Sequence, residues 1–298
     1  MKQETIKYLQ PHTVTKLANL EMIARLMVEG YLTGLHKSPF HGFSVEFSQH
    51  RQYLPGDSLR FVDWKVYGRT DRYYIKQYEQ ETNLRSYLLL DISESMNYSS
   101  SDITKLQYAK YLSAALCFIM LQQRDAIGMT LFDNQIRDTL MPKSVMSYLN
   151  LLLKKLELIK TGRDTQISTV LHQVAEQIKR RGLIILLSDL LDDPEKILAG
   201  MKHFRHNEHE VLIFHILDDQ EVDFDFSGDV QFEDLETSET VKTEPWFIKE
   251  AYQKNIREFL DYFRVQFSNN RIDYQLLKTS TPFDKALTQY LLKRKKLY

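Results

Sequence analysis

Cysteine is nearly absent from this chain of 298 residues, since Cys117 is the single one. One thiol can form no intramolecular disulfide and no cysteine-based zinc cluster, which suits a reducing compartment. The first residues also lack the apolar core of a secretory signal peptide. We therefore expect the protein to be cytoplasmic.

Net charge and long apolar runs are scarce as well. The 39 basic and 40 acidic residues nearly cancel, so the composition gives no reason to expect a nucleic-acid partner or an anionic membrane. The longest apolar run, at residues 111–121, is too short to span a bilayer and predicts no transmembrane segment. The composition is otherwise that of an ordinary globular protein.

The part of the chain after residue 83 alternates short apolar runs with amphipathic helical patterns. Continuous apolar runs of this length are typical of parallel strands that are covered on both faces. Strands are predicted at residues 84–91, 126–132, 136–140, 182–189, 211–217 and 272–277, and helices at 103–123, 144–158, 167–180, 194–204, 245–267 and 282–296. This order predicts an α/β fold with a doubly wound, mostly parallel sheet.

Two further regions complete the predicted organisation. Residues 1–83 are expected to form an N-terminal helix, at about 14–30, and an aromatic, β-rich extension that packs on the sheet. The main domain then covers 84–298. Within it, residues 218–239 carry ten carboxylates and no Lys or Arg, and alternating apolar residues on both sides of Ser227-Gly228 predict an acidic β-hairpin.

Small oxygen-bearing side chains follow the first buried strand. Asp91, Ser93 and Ser95 stand at alternate positions where that strand opens into a loop, while Asp189 ends another buried strand and Thr165 precedes a predicted helix. In open α/β sheets, ligands bind in the crevice beyond the carboxyl ends of the strands. Hard oxygens suit Mg²⁺, which takes about six of them.

This set resembles the metal-ion-dependent adhesion site of von Willebrand factor A domains. The resemblance implies that Ser93 and Ser95 bind the metal directly, that Thr165 is the hydroxyl of the second loop, and that Asp91 and Asp189 act through water or from behind the direct ligands. It also implies Mg²⁺ as the ion, with Mn²⁺ or Ca²⁺ as alternatives, and a partner carboxylate in the remaining coordination position. One departure is Leu190, where many such domains have glycine.

A narrower resemblance lies upstream. Residues 53–57, with the sequence YLPGD, and 60–65, with the sequence RFVDWK, followed by Arg69-Thr70, are similar to the signature of the bacterial family called domain of unknown function 58. That family couples such a segment to an A-type domain and tends to be encoded beside MoxR-type AAA+ ATPases. The resemblance implies a protein-interaction module that works with a MoxR-type ATPase, with a client protein that presents an acidic side chain, or with both.

Other functions remain open at this stage. A metal-dependent hydrolase or nuclease could use the same oxygens, and a scaffold with a vestigial site is a third possibility. A phosphatase of the haloacid-dehalogenase type is disfavoured, because Ser93 stands where the general acid would be required. His203, His206 and His209 have a spacing that could gather zinc but are better interpreted as exposed helix-end residues, and the basic run at 293–296 as a solvated helix end.

Overall fold

A computed structural model describes residues 10–14, 19–35, 50–52, 64–76, 84–159, 161, 167–226, 230–233, 240–243 and 245–296. The helices are α1 (Pro11–Val14), α2 (Leu20–Leu35), α3 (Trp64–Thr70), α4 (Lys105–Gln122), α5 (Tyr148–Glu157), α6 (Ile167–Gln177), α7 (Pro194–His206), α8 (Asp219–Asp223), α9 (Pro245–Asn269) and α10 (Phe283–Lys296). The strands are β1 (His50–Gln52), β2 (Tyr74–Lys76), β3 (Arg85–Asp91), β4 (Ala126–Phe132), β5 (Ile136–Lys143), β6 (Leu183–Ser188), β7 (Glu210–Leu217), β8 (Val230–Glu233), β9 (Thr240–Thr243) and β10 (Asp273–Lys278).

Six strands form the central sheet in the order β10-β7-β6-β3-β4-β5. All neighbouring strands are parallel except β4 and β5, which are antiparallel. Helices cover both faces, so the predicted doubly wound, mostly parallel α/β fold is confirmed. The first strand in the sequence of this sheet, β3, lies near its middle, and its C-terminal end opens beside that of β6.

Strand alternation divides the core into two layers, because successive side chains point to opposite faces of a sheet. Leu88 and Leu90 of β3 belong to the layer that includes α2, α4, α5 and α10. Leu89, between them, belongs to the layer that includes α6, α7 and α9. Burial on both faces explains why β3, β6 and β7 are continuous apolar runs in the sequence.

The N-terminal helix differs from the prediction in its position and its bounds. Helix α2 begins after Asn19, whose side chain accepts hydrogen bonds from the backbone N–H groups of Glu21 and Met22 at 2.8 and 3.1 Å. This side chain is an N-cap that the periodicity alone does not reveal. The helix packs against α4, with Met27 and Val28 fully buried. It therefore extends the helical layer over the sheet.

Little of the predicted β-rich extension falls on described residues. Strand β2 pairs with β1 in a separate antiparallel pair. Alternating apolar residues at 43–47 also predict a strand, and the Pro-Gly sequence within 54–57 predicts a turn, but both segments lie outside the described residues. The aromatic residues of the extension were predicted to pack on the sheet, but Trp64 is 58% exposed at the start of α3. There it makes an edge-to-face contact with Tyr67.

Two helix starts correct the prediction. Helix α4 begins at Lys105 rather than at 103, and its N-cap is Thr104 rather than Asp102, the capping residue that precedes the predicted start. The Thr104 hydroxyl accepts from the backbone N–H of Gln107, whose side chain accepts from the Thr104 backbone in return, which forms a capping box. Helix α5 begins at Tyr148, four residues later than predicted.

The acidic segment is folded differently from the predicted hairpin. Its first residues form the short helix α8, capped by the side chain of Asp218. The antiparallel hairpin is formed instead by β8 and β9, so the residues at 222–226 are not one of its strands. Phe224 ends α8 with a left-handed backbone, at a φ of 49°, which reverses the chain where alternation predicted a strand.

The basic run at the end of α10 is not simply solvated. Lys293 is 7% exposed and forms ion pairs with Glu210 and Asp273 at 2.6 and 2.7 Å. Arg294 is paired with Asp125 at 2.7 Å. These ion pairs attach α10 to the sheet. Among the described residues, no helix is both long and apolar enough to cross a membrane.

Candidate metal site at the edge of the sheet

Asp91 is the last residue of β3 and lies fully buried at the centre of the candidate site. Its Oδ1 accepts from the backbone N–H of Ser93 at 3.0 Å, and its Oδ2 accepts from the hydroxyl of Ser188 at 2.6 Å. Burial and then the neighbouring charge of Asp189 raise the pKa of Asp91 to about 7, against the lowering effect of those hydrogen bonds. The site therefore holds a carboxylate whose charge is poorly compensated.

The two serines after Asp91 converge on one point. The backbone N–H of Ile92 still pairs with Phe132, after which Ser93 turns the chain into a short 3₁₀ helix over Glu94–Asn97. The Oγ atoms of Ser93 and Ser95 are 3.0 Å apart. Ser93 is fully buried and Ser95 only half-buried, so the pair leads from the interior to the surface.

Asp189 reaches the same edge from β6 and is also fully buried. The residue that follows it, Leu190, has a positive φ of 53° although it is a buried leucine. This left-handed conformation favours glycine, the residue that many A-type domains have here. Leu190 therefore holds a backbone conformation that glycine would adopt with less strain.

Lys105 is a buried residue of this site that the sequence analysis missed. Its ammonium group contacts Asp189 Oδ2 at 2.8 Å and Glu221 Oε1 at 2.6 Å, and its side chain is fully buried. Burial alone would lower the pKa of Lys105, but the two carboxylates outweigh it and the pKa is raised. A signal was available, because Lys105, Tyr108, Ala109 and Leu112 occupy one buried face of α4 at helical spacing.

A neutral histidine supports the backbone of the Asp189 loop. His215 Nε2 lies 2.7 Å from the carbonyl oxygen of Asp189, and its Nδ1 lies 2.8 Å from the hydroxyl of Tyr274. Burial lowers the pKa of His215 to about 4, so the ring is uncharged at neutral pH. Its Nε2–H then donates to the carbonyl, and this fixes the loop without adding charge.

Helix α8 closes one side of the site. Asp218 is fully buried and accepts from the backbone N–H of Ser100, from the Ser100 hydroxyl, and from Thr279 Oγ1 at 3.2 Å. Glu221 of the same helix is the second partner of Lys105. Asp218 and Glu221 are therefore engaged inside the fold, and neither adds to an exposed negative surface.

The second loop is only partly described. Thr165 lies outside the described residues, so its predicted place in the site stays a prediction. Thr161, from the same segment, is close to the serine loop, because its Oγ1 accepts from Asn97 Nδ2 at 3.0 Å. Asp192, after β6, accepts from the backbone N–H of Ser168 at the start of α6 at 3.1 Å.

The described side chains fit a divalent cation in both spacing and charge. Two oxygens on neighbouring positions of an octahedral Mg²⁺, each about 2.1 Å from the ion, lie roughly 3.0 Å apart, which is the separation of the two serine hydroxyls. The carboxylates of Asp91, Asp189 and Glu221, when ionised, carry three negative charges against the single positive charge of Lys105. A divalent cation would balance the remaining two.

The three histidines near the end of α7, which were all predicted to be exposed, differ in their exposure and in their contacts. His206 is exposed, but His209 is 1% exposed, and its Nδ1 accepts from the backbone N–H of Gly182 at 3.2 Å. Its exposure was therefore predicted wrongly. His203 faces α6, where it meets His172.

Comparison with known proteins gives relatives of unknown activity. Uncharacterized proteins of Mycobacterium bovis and Mycobacterium tuberculosis are each 23% identical over 235 residues, covering 76% of this chain and 72% of theirs. Solved structures similar in fold include BatB, a conserved hypothetical protein from Bacteroides thetaiotaomicron, with a TM-score of 0.47, 16% identity, and coverage of 72% of this chain and 99% of that one. Another is the VWA domain of SpRpn10, with a TM-score of 0.41, 12% identity, and coverage of 70% and 95%.

The family model described as protein of unknown function DUF58 matches residues 49–259. The match covers more than half of the chain and includes both the YLPGD segment and the site around Asp91 and Asp189. The family predicted from those residues is confirmed, and the chain belongs to the family of proteins of unknown function DUF58.

Proposed function

We propose that this protein is a non-enzymatic interaction module that binds Mg²⁺ at the C-terminal ends of β3 and β6. Ser93, Ser95 and Thr165 would hold the ion, with Asp91 and Asp189 acting through water or from behind the direct ligands. An ion held mainly by neutral hydroxyls stays electrophilic, so it attracts a carboxylate from a partner protein. Ser95, which is half-buried, lies where that carboxylate would approach.

One observation carries this proposal: the buried carboxylate of Asp91, which is paired with no basic side chain among the described residues, lies beside two convergent hydroxyls. A buried carboxylate without a counter-charge is unfavourable unless it is paired or coordinates a metal. Lys105 supplies one positive charge, but that charge is in contact with Asp189 and Glu221. Within the part of the chain that the structure describes, Asp91 is stabilised by hydrogen bonds alone, and a bound cation would provide the missing charge.

The partner we propose is a MoxR-type AAA+ ATPase, or a client of it, in the cytoplasm. This follows from the family resemblance and from the need of the site for a carboxylate ligand. Asp218 and Glu221 do not add to it, because both side chains are bound within the fold. The recognition surface is therefore the rim around Ser95 and Glu94.

The first experiment measures Mg²⁺ binding by calorimetry, with the wild-type protein and with Asp91→Asn and Ser93→Ala. Loss of an outer-shell group from a metal site typically lowers affinity by about 10–100-fold, and loss of either of these residues should have at least that effect. Asp102→Asn is the matched control, since Asp102 is an exposed carboxylate in the same loop. Unchanged Mg²⁺ affinity in both site variants would overturn the metal assignment.

The second experiment tests the partner. The MoxR-type ATPase from the same organism is co-purified with the wild-type protein in Mg²⁺ and in chelator. Retention should require Mg²⁺ and should be lost in Asp91→Asn but kept in Asp102→Asn. A Mg²⁺-dependent hydrolytic activity on phosphodiester or ester substrates, abolished by Asp91→Asn, would instead favour the alternative of a hydrolase or nuclease.

A further inference from the structure

A pair of histidines lies on the face of the molecule formed by α6 and α7. His172 Nδ1 and His203 Nδ1 are 3.2 Å apart, and the ring centroids are 5.5 Å apart with the planes tilted by 42°. His172 is exposed and His203 partly exposed. The two nitrogens thus face each other at a position that solvent can reach.

The close packing of α6 against α7 produces this contact. Gly200 has no side chain, and a Cβ atom there would lie 2.9 Å from Leu171 Cβ. Farther along both helices, Asn207 Nδ2 donates to the carbonyl of Ala175 at 3.2 Å. The helices therefore run parallel and in close contact on both sides of the histidine pair.

The two helices that carry the histidines are packed on the core. Beneath them the helices bury several apolar side chains in one layer of the core: Val170, Leu171, Val174, Ile197, Met201 and Phe204. A side chain anchored on a packed helix loses less freedom when it binds a ligand, and this preorganisation strengthens binding. The separation of the two nitrogens is thus set by the helix packing.

That separation fits two kinds of interaction. In the first, one neutral ring donates an Nδ1–H to the other, as a simple hydrogen bond. In the second, both nitrogens bind one metal ion: two nitrogens on a tetrahedral Zn²⁺, each at about 2.0–2.1 Å, lie roughly 3.3 Å apart. Imidazole nitrogen is a preferred ligand of Zn²⁺, Cu²⁺ and Ni²⁺.

We propose that His172 and His203 form a two-histidine site for a borderline transition-metal ion, Zn²⁺ or Cu²⁺, that clamps α6 to α7. Within the described ranges, no third His, Cys, Asp or Glu side chain joins the histidine pair to hold a metal. Water therefore fills the remaining coordination positions of the ion, and the bound ion can exchange with ions in solution. Its nitrogen ligands distinguish it from the oxygen site around Asp91, and it is independent of the function proposed there.

The test compares His172→Gln and His203→Gln with the wild-type protein after removal of metal by a chelator. His206→Gln is the matched control, because His206 is an exposed histidine one turn beyond His203 on the same helix. One equivalent of Cu²⁺ is added, and electron paramagnetic resonance reports the coordinating nitrogens. Calorimetric titration with Zn²⁺ gives the affinity.

The wild-type protein and His206→Gln should show nitrogen hyperfine coupling from two imidazoles, and each of the other variants from one at most. The Zn²⁺ affinity should fall about tenfold or more in those two variants alone. Thermal unfolding with Zn²⁺ should show a rise in Tm that both variants lose, since a ligand that binds only the folded state stabilises it. Two-imidazole coupling that survives in either variant, or Zn²⁺ affinity unchanged in both, would overturn the proposal and leave the pair as a hydrogen bond.

Discussion

Lys105 places an ammonium group between two carboxylates at the candidate metal site, and the charge of the whole cluster depends on it. Lys105→Met would leave Asp189 and Glu221 buried without their counter-ion. Removal of one partner from a buried ion pair typically costs about 3–5 kcal/mol. We expect a loss of that size in urea unfolding measured in chelator.

Two further variants make this prediction specific. Lys105→Met combined with Glu221→Gln should recover part of the loss, because it removes one of the two unpaired charges. Lys202→Met, on the exposed side of α7, should change the free energy of unfolding by less than about 0.5 kcal/mol. If Lys105→Met changes the free energy of unfolding as little as this control does, the ion pairs of Lys105 with Asp189 and Glu221 do not stabilise the fold.

Leu190 gives a second prediction at the scale of one residue. Its positive φ is strained for leucine, by about 1–2 kcal/mol relative to the usual region. Leu190→Gly should therefore be more stable than Leu190→Ala, by about 1 kcal/mol in chemical unfolding. At the neighbouring Leu191, whose φ is not positive, the order should reverse, because glycine loses more backbone entropy than alanine on folding. If the glycine and alanine variants had the same order of stability at both positions, the backbone of Leu190 would not be strained.

Some residues of the candidate site could be predicted from the sequence, and there are physical reasons why the others could not. Asp91, Ser93 and Ser95 could be found because they interrupt an apolar strand. Lys105 was missed because a lysine is ordinarily exposed, and its burial depends on Asp189, which is distant in sequence. The left-handed backbone of Leu190 could not be predicted either, because leucine rarely adopts that conformation.

At the scale of elements, the strands were easier to predict than their connections. Burial on both faces makes each central strand a continuous apolar run, so β3, β6 and β7 stand close to their predicted positions. Helix α8 was mistaken for a strand because Val222, Phe224 and Phe226 alternate. Its true start depends on the capping box between Asp218 and Glu221 and on contacts with Ser100. Such tertiary contacts override a short alternating pattern.

The attachment of α10 to the sheet gives a prediction at this scale. Burial alone would raise the pKa of Glu210, but Lys293 and Arg205 outweigh it and the pKa is lowered. A carboxylate whose pKa is lower in the folded state stabilises the fold above its unfolded pKa. That contribution is lost as the pH falls through its folded pKa. Glu210→Gln should therefore be destabilising at pH 7, by about 1 kcal/mol or less because the pairs are partly exposed.

The destabilisation should shrink as chemical unfolding is repeated at decreasing pH, from 7 towards 3. Glu208→Gln is the control, since Glu208 is an exposed carboxylate two residues before Glu210, and its effect should stay small throughout. A Glu210→Gln effect that is independent of pH would show that packing, rather than charge, accounts for the difference.

At the scale of the whole molecule, α2 is part of the core even though it stands far from the site. Ile23, Met27 and Val28 are at most 2% exposed and lie in the same layer as α4. Tyr31 adds a hydrogen bond of 3.2 Å to Thr288 of α10. The predicted boundary at residue 83 separates segments of the sequence, but in the fold this helix completes the cover over one face of the sheet.

The last prediction concerns a chain that starts at Leu84 and therefore lacks α2. Burial of an aliphatic side chain of this size contributes about 1.5–3 kcal/mol, so three of them contribute roughly 5–9 kcal/mol. The net stability of a typical domain is only about 5–15 kcal/mol. The shortened chain should therefore unfold without cooperativity and should expose the apolar face of α4, which a hydrophobic dye would detect.

Adding a peptide of residues 19–35 should restore cooperative thermal unfolding in part and reduce dye binding, because the peptide can cover the face of α4 again. A peptide of the same residues with Met27→Asp is the control and should have no effect, since a carboxylate at a fully buried position is strongly unfavourable. A shortened chain that unfolds cooperatively with the stability of the full chain would show that α2 is dispensable. The core would then consist of the sheet and the helices that follow residue 84.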